Sequence, residues 1–160
     1  MISRIMVRTL RLPFKRKILF VRVSFMLLAV RLSLSVFSFS RVYRFLKRFH
    51  PADNPTVLRH PDVAEVDFVC WAVSRAGKLW FGDEGCLPQA LVGEMMLLRI
   101  GISAQMRVGI RKEEGGALLA HAWVQDEIRT YIGENTSLSR NEYQNFPEIQ
   151  RIVQQQRSDT

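Results

Sequence analysis

Acidic side chains are missing from the first 50 positions, where twelve lysines and arginines stand without one counter-charge. The remaining eleven basic residues lie among all fifteen acids, so a basic, apolar third precedes a mildly acidic remainder. Cysteine is scarce: only Cys70 and Cys86 occur, which excludes a disulfide-stapled secreted scaffold and fits a reducing cytoplasm. Histidine is scarcer than a metal centre needs, because His50, His60 and His121 show no ligand-type spacing, and neither metal nor cofactor is expected. No glycine-rich phosphate loop, internal repeat or low-complexity tract is present. A long uninterrupted apolar run is also lacking. Ile18 to Phe39 is long enough to cross a bilayer, but Arg22 and Arg31 break it. They lie on opposite sides of a helix that turns about 100° per residue, which argues against a spanning segment. No A-x-A-like cleavage site follows Lys15-Arg16-Lys17, which weighs against a signal peptide. The basic residues alternate with large apolar ones, a pattern unsuited to nucleic acid. It suits helix packing, a partner groove or an anionic membrane surface, and those readings stay open.

What is present suffices for one folded domain with a real core, since 160 residues contain 48% hydrophobic side chains. Hydrophobic spacing predicts a helix from Phe14 to about Leu34, although Leu32 to Val36 alternates like a strand. Ser38 or Ser40 caps a short basic helix through Phe49. Pro51, Pro55 and Pro61 break the chain and mark a seam, giving a helical segment over 1–50 and a second part over 51–160. Asp62 is suited to cap a helix from Val63 to Ala76 that Gly77 ends, with Trp80 and Phe81 opening a loop. A second helix spans Cys86 to Arg99. Alternation from Ile102 to Arg111 predicts a half-buried strand, followed by strands over 118–125 and 129–132. A short polar helix is expected after Pro147.

Cys86 and His121 carry the chemistry. Cys86 stands at a helix start, where unpaired N–H groups and the positive end of the dipole favour a thiolate, the nucleophilic form of cysteine. Pro88 sacrifices no helical hydrogen bond in a first turn. The Cys86 backbone N–H is then placed to help hold an oxyanion. His121, on a predicted strand, is the matching base and later the acid that protonates a leaving amine. Cys70, in an apolar helical context, reads as a core thiol. A third group is needed to orient the imidazole. Asp126 lies about 16 Å along the same strand if fully extended, too far to serve. A hairpin folded about Glu127 sets His121 opposite Gly133 and makes Glu134 the nearest acid; a one-residue slip turns Glu134 to the other face. Gln89 and Trp123 are candidates for shaping the pocket.

Gly85-Cys86-Leu87-Pro88-Gln89-Ala90-Leu91, Leu97 to Ile102, Met106 to Ile110 and Ala120-His121-Ala122-Trp123-Val124 resemble, in order and spacing, the transglutaminase-like leader peptidases of lasso-peptide biosynthesis. The likeness runs from about residue 63 to 135. It implies an α+β, papain/transglutaminase-like core: a helix packed on a short antiparallel sheet, preceded by basic, apolar N-terminal helices. It implies a cysteine protease that removes the leader from a ribosomally made precursor peptide. A separate leader-recognition protein and a lasso cyclase are the implied partners. The location is then the cytoplasm, with or without attachment to a membrane. Cys86 and His121 match the family's nucleophile and base. Gln125 stands where the family usually has Glu, and the third triad position is not a plain Asp. Acyl transfer to an amine, and a non-catalytic scaffold, are the alternatives.

Overall fold

The computed structural model describes residues 13–48, 61–82, 84–112, 118–133 and 144–145. Among the described residues four helices precede an antiparallel sheet: α1 (Phe14–Val36), α2 (Phe39–Arg48), α3 (Val63–Phe81), α4 (Cys86–Arg99), then β1 (Gln105–Lys112), β2 (Leu118–Gln125), β3 (Thr130–Ile132) and β4 (Gln144–Asn145). The sheet order is β3-β2-β1-β4. The α+β class expected from the sequence is the one observed, with α4 packed against β1, β2 and β3.

The sheet offers α4 one apolar face. Met106 and Val108 on β1 pair with Val124 and Ala122 on β2, and all four are buried with Ile132 of β3 in the core. The period of two leaves Arg107, His121 and Trp123 on the opposite face. From the helical side the core takes Val66, Val69, Ala72, Val73 and Ala76 of α3 and Ala90 to Val92, Met96 and Leu97 of α4. Phe20, Val23, Leu27 and Val30 of α1, with Tyr43 of α2, belong to the same cluster. The helices before residue 50 thus share one core with the sheet.

Local chemistry accounts for most boundaries. The Asp62 carboxylate accepts the Ala64 N–H at 3.2 Å and caps α3. Two readings change. Gly77 does not end α3, which runs four residues further to Phe81 and takes in Trp80. Gly77 is buried where α4 crosses, and a Cβ there would stand 2.3 Å from Cδ of Gln89. That glycine exists for close approach; the stop is Gly82, at φ +60°. The strand-like alternation at Leu32 to Val36 is also overridden, since α1 continues helical to Val36 and closes with Phe37 N–H on the Ser33 carbonyl at 2.8 Å. The two interrupting arginines separate as their angular positions require. Both are exposed, but Arg31 lies over the Phe81 ring of α3 at 5.9 Å, whereas Arg22 flanks the outer face of α1. The strand expected from Ile102 begins at Gln105, and the two-residue β4 carries no sequence signal of its own. Phe49 and the helix after Pro147 lie outside the described residues.

Candidate active site

Cys86 is the first residue of α4, with Pro88 buried in the same turn, so the missing proline N–H costs no helical bond. Gly85 before it is buried, and a Cβ there would lie 2.9 Å from Phe81. Only glycine lets the end of α3 and the start of α4 close up and set the thiol at the edge of the sheet.

The sheet supplies the other half. Among the described residues β3 pairs with β2 at Val124 and Gln125 alone, with a bulge between them. That short ladder does not extend to Ala122. The Cys86 sulfur enters there and takes hydrogen bonds from the His121 ring and from the backbone N–H groups of Ala122 and Leu87. The Nε2–H of His121 donates to the Gly133 carbonyl at 2.8 Å. Because a carbonyl only accepts, Nε2 carries the proton, and Nδ1 is left to face the sulfur.

The two groups shift each other in the sense that nucleophilic chemistry needs. Burial pushes the Cys86 thiol up, but the His121 hydrogen bond, the Ala122 and Leu87 N–H groups and the imidazolium charge outweigh it. The thiol therefore ionises below its ordinary 9.0. His121 is raised above 6.5, first by its hydrogen bond to Cys86, against burial, and then by the Gly133 carbonyl. Cys70 shows the contrast: burial pushes it up to about 11, which suits the core thiol expected of it.

Gly133 was legible only as a residue opposite His121. The bulge displaces that pairing, and Gly133 instead lies against Trp123. At φ +83°, a Cβ on it would stand 2.8 Å from both the Ala122 carbonyl and the Trp123 Cβ. A glycine directly after a strand is the sequence signal of such a close approach. The orienting group it supplies is a backbone carbonyl, which no residue type announces.

The structure brings Cys86, His121 and Trp123 together. The Trp123 ring lies 6.1 Å from the imidazole and nearly parallel to it, at 16°. Its indole N–H donates to Oε1 of Gln125 at 2.7 Å. Gln89 sits one turn into α4 with its side chain turned onto Gly77 and Gly85. Glu134 lies outside the described residues. Asp126 is occupied within its own turn: its carboxylate accepts the N–H groups of Ile128 and Arg129 and the Tyr131 hydroxyl, the last at 2.6 Å. The Tyr131 bond, first among these contacts, holds Asp126 below the usual carboxylate range.

A cavity of 720 Å³ opens elsewhere, lined by Ile102, Gln105, Arg107, Gln125 and Asp126 among others. It reaches Gly101, just past the end of α4, whereas Cys86 begins that helix. A 14-residue helix, about 21 Å long, separates the two. No group of three or more potential metal ligands occurs among the described residues.

A thiol at a helix N-terminus that ionises below its ordinary value, beside an imidazole from an antiparallel strand, is equipped for acyl chemistry through a thioester. No curated protein and no solved structure matches the chain. The sequence profile of the transglutaminase-like superfamily, whose members include cysteine proteases and acyltransferases, matches residues 26–148. That span takes in the second half of α1, all of α2 to α4 and the sheet with both Cys86 and His121, and the chain belongs to the transglutaminase-like superfamily.

Proposed function

We propose that the protein is a cysteine peptidase that cleaves the leader from a ribosomally made, lasso-type precursor peptide. The observation that carries the catalytic part is the Cys86–His121 contact, with the imidazole fixed by Gly133. The Cys86 thiolate attacks the scissile carbonyl, and its sulfur–carbon bond forms as the carbonyl electrons move to oxygen. The Cys86 N–H and the positive end of α4 stabilise that oxyanion. The His121 imidazolium gives its Nδ1 proton to the leaving amine as the carbon–nitrogen bond breaks. Water, losing a proton to Nδ1, then attacks the thioester and releases the new carboxylate, returning the thiolate. Trp123, nearly parallel to the imidazole at 6.1 Å on the same face of β2, lines the site beside it.

The choice of a leader peptide rests on the likeness of the Gly85 to Leu91 and Ala120 to Val124 segments to lasso leader peptidases. A separate leader-recognition protein delivers the precursor, and a cyclase acts on the freed core. Glu134, next to Gly133 in the sequence, is the proposed acid of the triad. The test is incubation of the cognate precursor and recognition protein with wild-type and Cys86→Ala protein, followed by mass spectrometry. Cleavage at one bond by the wild type alone, with the mass of water added across the two fragments, is expected. Undiminished cleavage by the alanine variant overturns the catalytic assignment. An amine-linked product identifies acyl transfer in place of hydrolysis.

A further inference from the structure

α1 has two apolar faces, and the fold uses one. Phe20, Val23, Leu27 and Val30 are at most 9% exposed and enter the core. On the opposite side Phe14, Ile18, Val21, Phe25, Leu32 and Val36 are 45–77% exposed. Their spacing of three, four or seven keeps all six within about 60° of one another around the axis. The outcome is a straight apolar stripe along the full 23-residue helix, about 33 Å from first to last residue.

The flanks of the stripe are cationic. Lys15 and Arg22 project on one side, both exposed, and Lys17 on the other. The arginines nearer the domain have other work: Arg16 stacks on Phe68 at 5.0 Å and Arg31 on Phe81. Beyond the end of α1, Phe37 and Phe45 are 51% and 59% exposed, and Arg41, Arg44 and Arg48 are exposed beside them. No acidic residue occurs before position 51 to neutralise any of this.

We infer that the outward face of α1 is a docking surface for an anionic lipid bilayer, with the helix lying in the plane of the interface. Phenylalanines and aliphatic side chains along one stripe, with lysine and arginine on its rims, are what a headgroup–acyl boundary accommodates. Charge complementarity selects the occupant, since every charge that α1 and α2 carry is positive and the cytoplasmic leaflet is negative. A helical protein partner would instead need an acid-flanked seam of matching length. The helix is long and apolar enough to cross a bilayer by length and composition. Crossing would, however, strip Phe20, Val23, Leu27 and Val30 from the core they fill. The inference stands apart from the catalytic proposal.

The experiment is flotation of the full chain with vesicles of phosphatidylglycerol and phosphatidylcholine, against phosphatidylcholine alone, at low and high salt. Binding to the anionic vesicles, weakened by salt, is expected. Phe25→Ser and Leu32→Ser, both at exposed positions, are expected to keep the wild-type melting temperature and to weaken binding about tenfold or more each. Lys15→Glu with Arg22→Glu is expected to abolish it. Absence of vesicle binding overturns the inference, as does binding indifferent to these substitutions or to lipid charge. Sedimentation of the same variants supplies an independent readout. A dimer, or a complex with the leader-recognition protein, that forms without vesicle binding and is lost in Phe25→Ser assigns the stripe to protein and overturns the inference.

Discussion

One sulfur atom collects three donors: the imidazole of His121 and the N–H groups of Ala122 and Leu87. All three favour the thiolate, and the sulfur in turn favours the charged imidazolium, so the pH dependence of the pair has two signs. Cys86 is depressed on folding; its thiolate contributes stability fully above the ordinary 9.0, lost as pH falls through the folded value. His121 is raised; its contribution is complete below 6.5 and lost as pH rises through the folded value. Alkylation by iodoacetamide is therefore expected to inflect below pH 9 at Cys86, read by peptide mass mapping. In His121→Ala that inflection moves upward, while Cys70, raised to about 11, stays unlabelled until far more alkaline pH. In Cys86→Ala the His121 ring is expected to titrate lower than in the wild type, because its largest upward influence is gone; NMR of the ring protons measures this. Gly133→Ala is expected to cost roughly 1–3 kcal/mol in chemical denaturation and to reduce cleavage, since a side chain at φ +83° strains the backbone and pushes the carbonyl off the imidazole.

At the scale of elements, the site depends on how closely α3 and α4 approach, and on how short β3 is. Gly77 and Gln89 form the first of these contacts. Gly77→Leu is expected to destabilise the fold by about 1–3 kcal/mol through overpacking against Gln89. Adding Gln89→Ala should recover part of that loss, a non-additivity that a double-mutant cycle of unfolding free energies measures. The same pair shows what periodicity misses. A glycine inside a helical pattern reads equally well as a stop or as a crossing point, and only the neighbour across the gap distinguishes them. Phe81 is a second instance: read as loop from its neighbouring glycines, it is helical, and its ring carries Arg31 while its Cβ abuts Gly85. The β2–β3 register depended on a bulge between Val124 and Gln125 that no turn residue signals.

For the whole molecule, the basic N-terminal helices are structural as well as exposed. Phe20, Val23, Leu27 and Val30 each contribute up to about 1.5–3 kcal/mol by burial, together comparable to the net stability of an ordinary domain. Removal of residues 1–48 is expected to abolish cooperative unfolding of the remainder, followed by circular dichroism against temperature. Division of the chain at its proline-rich stretch describes the sequence's charge pattern, whereas the core runs continuously from α1 to β3.

By itself the sequence determined the class of fold, the helix that Cys86 opens, the strand that carries His121 and the asymmetry of charge. Those follow from local rules: period, capping and the preference of a thiolate for a helix start. Only the tertiary structure decided that the imidazole is oriented by the carbonyl of Gly133, that Asp126 is confined to its own turn, and which face of α1 stays outside. These are choices among backbone groups and packing faces, settled by the elements that close against them.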